Sequence, residues 1–414
     1  MPAISEQGEQ SMLLATLYDS VELHRQDKIL YARFLVPHRV LSTCRVAGGL
    51  REDIDFLYNH QSCEPAGGHC GHATLAIKDP LAYRDAICSR HDLPSQGCAT
   101  LGTAANMRNA AIVEANFRDL QVVAVCTGGV EGNAGRVGDP ASVVETENGF
   151  ERLPQAEAPP PAGTINTMLF ISKPLISGAM VRAVMTATEA KTAALQELAV
   201  GSRYSNGLAT GTGTDQIAVA AVATSEGGDK ALTSAGKHAK LGELIGQAVN
   251  EAIKGTLALQ NGLTTASQCS VEAHLRRFGM DAEGLRRGVC RFLREQEQFL
   301  FSANFLALER DPLTVAAVAA LVHLKDKTAW GTLPQGCWLE TASNFAAQVA
   351  AAVSGSYEDL ALYRRQLASQ AAPEDTATFL HLICQAIALG FQHKWPELVA
   401  EETASLQPSC QETI

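Results

Sequence analysis

The 414-residue chain is poor in aromatic residues (6%) and contains no run of lysines or arginines. With few rings to fill it, the core must rest on small aliphatic side chains. Without a basic face, the chain lacks the means to displace counterions from nucleic acid. Its 33 Lys and Arg stand against 44 Asp and Glu, a formal charge of −11. Acidity of this size favours solubility and disfavours a strongly anionic partner unless local arginines override it. No apolar stretch reaches the ~20 residues that span a bilayer. Met1–Gln10 is polar and acidic, unlike a signal or transit peptide. The eleven cysteines show no paired spacing and read as free thiols in a reducing compartment. The expectation is a cytoplasmic protein with no nucleic-acid or membrane partner.

What is present is ordinary for a globular chain: 46% hydrophobic and 19% charged residues, in a length that suits about two domains. Short strand signals fill the first third, such as Ile29–Val36, Leu101–Ala115 and the apolar run ending in Val122-Val-Ala-Val-Cys126. Residues 60–80, rich in Gly, His and Cys, read as a loop. Thr164–Ser172 and Gln216–Ala223 read as further strands. Ser177–Leu198, with Ser177 as a candidate cap, and Lys240–Gln260 read as helices, the second with Leu241, Leu244, Ile245, Val249, Ala252 and Ile253 on one face. Residues 1–264 are therefore expected to form an α/β (α+β) domain of mixed sheet and helices. From Ser270 onward the pattern is nearly all helical, including a helix over Ala282–Phe301, and residues 265–414 are expected to form an all-helical domain.

Three stretches look too specialised for a plain scaffold. Thr127–Pro140 holds five glycines, so its backbone N–H groups can approach a ligand or an oxyanion. Taken alone, it reads first as a tight turn between two strands. Ser202–Gln216 is a run of hydroxyls and glycines that ends beside Asp215, a candidate to orient a base or a substrate amide. It lacks the Gly-Lys-Ser/Thr of a phosphate loop. Gly163-Thr164-Ile165-Asn166 puts a threonine at a strand start, directly after four prolines. Such a threonine is a nucleophile if a base is near, and otherwise only begins a strand.

These stretches together resemble the adenosylcobinamide amidohydrolase family. The matching text is Gly129-Val-Glu-Gly-Asn-Ala-Gly-Arg-Val-Gly-Asp-Pro140, Gly163-Thr-Ile-Asn166, Ala187-Thr-Glu-Ala-Lys-Thr-Ala-Ala-Leu-Gln-Glu197, Ala209-Thr-Gly-Thr-Gly-Thr-Asp-Gln216 and Lys237-His-Ala-Lys-Leu-Gly-Glu-Leu-Ile-Gly246. Asn59-His-Gln-Ser-Cys-Glu-Pro65 looks like the family's upstream block. The resemblance covers residues 40–260 and leaves out the helical region. It implies hydrolysis of the amide joining aminopropanol to the corrin side chain of adenosylcobinamide, a salvage step toward cobalamin. The corrinoid is then a small-molecule substrate, and no cofactor is expected. A homo-oligomer is compatible with this reading. A second, shorter resemblance links Gly163-Thr-Ile-Asn-Thr-Met-Leu-Phe-Ile-Ser-Lys-Pro174 and Cys126-Thr-Gly-Gly-Val130 to the ornithine acetyltransferase and β-aminopeptidase group. It implies self-cleavage before Thr164, Thr164 as nucleophile, and Thr127 and Gly128 as oxyanion donors.

Other candidates carry two readings each. Glu189 and Lys191 either reach the pocket or form the solvated face of their helix. His238 either binds substrate or caps the following helix. Asn133 and Arg136 either hold the corrin amides or close the turn, and Asn166 is a further substrate-binding candidate. Cys63, His69, Cys70 and His72 are the one metal-like cluster, but their spacing is not that of a zinc knuckle, and no metal is expected. The rivals to the amidohydrolase are a corrinoid-binding protein without catalysis and a hydrolase of another amide.

Overall fold

The computed structural model describes residues 10–62, 71–147, 149–154, 163–224, 227–368 and 375–394. The chain divides into two compact units between Leu263 and Thr264.

The first unit holds two large sheets. One has five strands, Met12–Leu17, Val21–Gln26, Ile29–Phe34, Phe56–Gln61 and Cys98–Thr103, in that order. The other has six, in the order Gly49–Arg51, His38–Ser42, Gln216–Val222, Asn166–Ile171, Leu120–Thr127 and Ala111–Phe117. Within this second sheet the Asn166–Ile171 strand runs parallel to Gln216–Val222 and antiparallel to Leu120–Thr127.

Strand alternation sorts the side chains into two layers. Val123, Val125, Met168, Phe170, Ala218 and Ala220 pack with Leu23, Leu30, Leu57 and Leu101 of the five-stranded sheet. Val122, Ala124, Leu169, Ile171, Val219 and Ala221 face the helices Ser177–Glu197 and Lys240–Asn261. On the outer side of the five-stranded sheet, Tyr58 and Cys98 pack with Tyr83 and Ile87 of helix Pro80–Arg90. The unit is thus a helix–sheet–sheet–helix sandwich. All six apolar residues expected on one face of the 240–261 helix are buried.

Several local expectations change. Leu101–Ala115 is not one strand. Cys98–Thr103 and Ala111–Phe117 lie in different sheets, separated by a short 3₁₀ turn at Met107–Asn109. Residues 60–80 are not all loop, because Gly71–Lys78 is helical. Ser177 does not cap its helix. The cap position is Ile176, and the Ser177 hydroxyl accepts instead from the Arg39 guanidinium at 3.0 Å.

Among the described residues the second unit contains helices and no strand, from Thr265–Gln268 to Thr376–Lys394. Its own core joins Val289, Phe301, Leu321, Trp338, Phe379 and Phe391. The helix expected over Ala282–Phe301 is two helices, Ala282–Cys290 and Glu295–Glu309. The second begins with the Glu297 carboxylate accepting from the Arg294 backbone N–H at 2.8 Å. That contact offers the backbone an alternative to a continuous helix. No helix among the described residues is long and apolar enough to cross a membrane.

Candidate functional site

Three chain segments converge where the Leu120–Thr127 strand ends and the Asn166–Ile171 and Gln216–Val222 strands begin. In register, Asn166 lies opposite Thr127 on one side and Gln216 on the other. Asn166 and Thr127 share the inter-sheet face of Met168 and Val125, and one step further back along the chain that parity brings Thr164 beside Thr214.

The Thr164 and Thr214 hydroxyl oxygens are 2.6 Å apart. The Thr214 hydroxyl donates to the Gly163 carbonyl at 3.1 Å, so its single proton is committed. The Thr164 hydroxyl is then the donor of the short bond. Thr164 is nearly buried, at 7% exposure. Its backbone is held on both sides. The Gly129 N–H donates to the Thr164 carbonyl at 3.2 Å, and the Ile165 N–H donates to Asp215 Oδ1 at 2.9 Å.

Asp215 is the hub of this arrangement. Beyond Ile165 it accepts from the Thr212 N–H at 3.0 Å and the Thr212 hydroxyl at 2.5 Å. It is ion-paired with Lys191, each side chain 14% exposed. Of the two charged residues expected on the 177–197 helix, Lys191 reaches inward. Glu189 instead pairs with Lys237 at 2.5 Å, both well exposed. His238 is exposed too and does not cap the next helix, whose cap position is Ala239. Among the described residues, neither Glu189 nor His238 shares a hydrogen bond with the Thr164 cluster.

Asn133 is buried and donates to the Gly163 carbonyl at 3.1 Å, while its own Oδ1 accepts from the Tyr204 hydroxyl at 2.6 Å. Gly163 therefore has two side-chain donors on one carbonyl. Arg136 turns away, its guanidinium donating to the Leu208 carbonyl at 3.2 Å. The Arg136 N–H and the Ser202 hydroxyl both donate to Asp139, at 2.7 and 2.6 Å. Burial raises the Asp139 carboxyl pKa, but these bonds, with one from Ser205, outweigh it and hold the group below the usual range. The two glycine-rich stretches are also joined by backbone pairing of Ala134–Gly135 with Gly211–Thr212.

Beneath Thr164 lies a polar floor. Asn59 donates to the Thr127 hydroxyl at 2.8 Å, and Asn166 donates to Asn59 Oδ1 at 2.9 Å and to the Gly102 carbonyl at 3.0 Å. The Gly102 N–H donates to Gln216 Oε1 at 2.9 Å. Asn166 Oδ1 is buried without a partner. Thr127 uses its oxygen as an acceptor here, so its proton remains able to donate. Gly128 differs: its N–H already donates to the Thr256 hydroxyl at 3.0 Å, and to serve an oxyanion it must release that bond. Cys126 next door is no rival nucleophile. Burial pushes its thiol up to about 12, which keeps it protonated at neutral pH.

Cys63, His69 and Cys70 lie outside the described residues. Among the described residues no group of three or more His, Cys, Asp or Glu is placed to hold a metal ion. Thr214, Asn59, Tyr204 and Gln216 are the site neighbours that sequence reasoning did not single out. All four belong to stretches it did mark, but the partnership of Asn59 with Thr127 is revealed only by the packing of two sheets.

Fold and site together define a four-layered α/β sandwich with a threonine hydroxyl just before a central strand, on the side of the sheet that faces the other sheet. The chain belongs to the adenosylcobinamide amidohydrolase family, whose model matches residues 14–265. An uncharacterized protein of Methanocaldococcus jannaschii is 35% identical over 240 residues, 57% of this chain and 88% of its own. The helical unit lies beyond the family match.

Proposed function

We propose that this protein hydrolyses the amide between aminopropanol and the corrin side chain of adenosylcobinamide, releasing adenosylcobyric acid and (R)-1-aminopropan-2-ol, with Thr164 as nucleophile. The observation that carries the role of Thr164 is its placement. It is a nearly buried hydroxyl whose peptide is held on both sides and whose oxygen lies 2.6 Å from that of Thr214. Family membership carries the substrate class.

In this reading the Thr164 oxygen attacks the amide carbon, its proton passes to the leaving amine, and the C–N bond breaks. An ester on Thr164 remains, which water hydrolyses to the free acid. Thr127 donates to the tetrahedral oxyanion, a contribution worth ~10²–10³ in rate for one well-placed donor.

The base is supplied in the same reading by the chain itself. Attack of the Thr164 hydroxyl on the Gly163 carbonyl carbon moves the acyl group from nitrogen to oxygen, and water then hydrolyses that ester, leaving a Gly163 carboxylate and a free amine on Thr164. The paired donors Asn133 and Thr214 on the Gly163 carbonyl support this step, because they polarise the bond to be broken.

Incubation with adenosylcobinamide, followed by mass spectrometry of corrinoid and protein, tests both parts. Adenosylcobyric acid is expected from the wild type, and Thr164→Ala is expected to lower turnover by a factor of about 10³ or more. Full activity in Thr164→Ala would remove the threonine from the mechanism. An unchanged corrinoid with the wild type would remove the substrate assignment.

A further inference from the structure

The contacts around Asp215 point to a device that acts on Thr164 from the opposite side of the sheet. Strand parity divides the two. Thr214 and Gln216 belong to the inter-sheet face, whereas Asp215 shares the face of Ile217 and Val219, which pack toward the helices. Lys191 approaches Asp215 from the Ser177–Glu197 helix, so the ion pair touches no reacting atom. It does touch the peptide that carries the nucleophile, since one Asp215 oxygen accepts the Ile165 N–H and the other meets Lys191.

The backbone is shaped to admit this pair. A Cβ added at Gly211 would lie 2.9 Å from Lys191 Nζ and closer still, at 2.4 Å, to Asp215 Oδ2. A side chain there would have to displace the ends of both charged groups. Thr212, the next residue, spends both its N–H and its hydroxyl on the same carboxylate.

We propose that Lys191, Asp215 and Gly211 form a clamp that sets the orientation of the Thr164–Ile165 peptide, with Lys191 as a positioning residue for the Thr164 hydroxyl. The kinetic part of this inference rests on the amidase reading above; the geometric part does not. Losing the lysine leaves Asp215 with no cation in a site of little solvent, so the carboxylate must shift toward water and release the Ile165 N–H. A nucleophile misplaced by a fraction of an ångström costs rate without costing substrate affinity.

The test compares wild type, Lys191→Met, Lys191→Arg and Gly211→Ala by two readouts, after thermal melting shows which variants fold. The first is hydrogen exchange at the Ile165 amide, which needs no substrate. The second is kcat and KM on adenosylcobinamide. Lys191→Met and Gly211→Ala are expected to speed Ile165 exchange about tenfold or more. They are also expected to lower kcat by about 10-fold or more with KM within about twofold. Lys191→Arg, which keeps the cation, restores both. Unchanged Ile165 exchange overturns the clamp, as does faster exchange with unchanged kcat. A rise in KM alone makes Lys191 a substrate-binding residue and also overturns it. Gly211→Ala, with its charges intact, decides the matter if Lys191→Met does not fold. A wild type that turns over no adenosylcobinamide sinks the amidase reading, and the exchange readout still decides the clamp.

Discussion

His38 shows how one buried residue ties stability to pH. Its ring Nδ1 donates to the Val36 carbonyl at 2.7 Å, and its Nε2 accepts from the Tyr18 hydroxyl at 3.1 Å. Both bonds suit the neutral imidazole. Burial pulls its pKa below the ordinary value, against the opposing effect of the Val36 bond. The unfolded chain therefore takes up the proton first, near pH ~6.5. The stabilisation is whole above that pH and is lost as pH falls below it. The drop in Tm between about pH 7.5 and about pH 5.5 is expected to be smaller in His38→Gln than in the wild type. At this same scale, much of the site was legible in the sequence. Thr164, Asp215 and Asn133 were marked by hydroxyls and glycines at strand ends. Thr214 was readable by parity, counting back from Ala218 and Ala220, the alternate residues of a buried strand. Lys191 and Glu189 were not separable, because both are charges among alanines and only the position of the facing strand tells inward from outward.

At the scale of elements, the 240–261 helix carries the clearest dependence on one position. A Cβ at Gly242 would lie 2.1 Å from the Gly236 carbonyl oxygen and 2.7 Å from that of Ala235. The loop before the helix lies against it at backbone distance, and the buried Thr186 hydroxyl fastens that loop by donating to Ala235 O at 2.8 Å. Gly242→Ala must push the loop away and is expected to destabilise the unit by about 1–3 kcal/mol, measured by urea unfolding. Helices and buried strands of this unit were readable from periodicity. Those that were not had competing local contacts: Arg39 draws Ser177 out of its capping role, and the Glu297 carboxylate starts a new helix where the apolar pattern alone would continue the old one.

At the scale of the whole molecule, each unit has its own buried core. The family match stops at residue 265, beside the boundary between the units. Residues 1–263 made alone are therefore expected to fold cooperatively, as followed by near-ultraviolet circular dichroism during melting. A featureless spectrum for that fragment would show that its core depends on the helical unit.

The strand order of the six-stranded sheet has a consequence for a chain cut before Thr164. The two strands that follow the cut, Asn166–Ile171 and Gln216–Val222, lie side by side at the centre. Strands that precede it flank them on both sides, His38–Ser42 against one and Leu120–Thr127 against the other. The two pieces are thus interleaved like the fingers of folded hands, and neither can leave without breaking a backbone ladder along its whole length. Such a protein would travel as a single body through a sizing column and come apart only in denaturant.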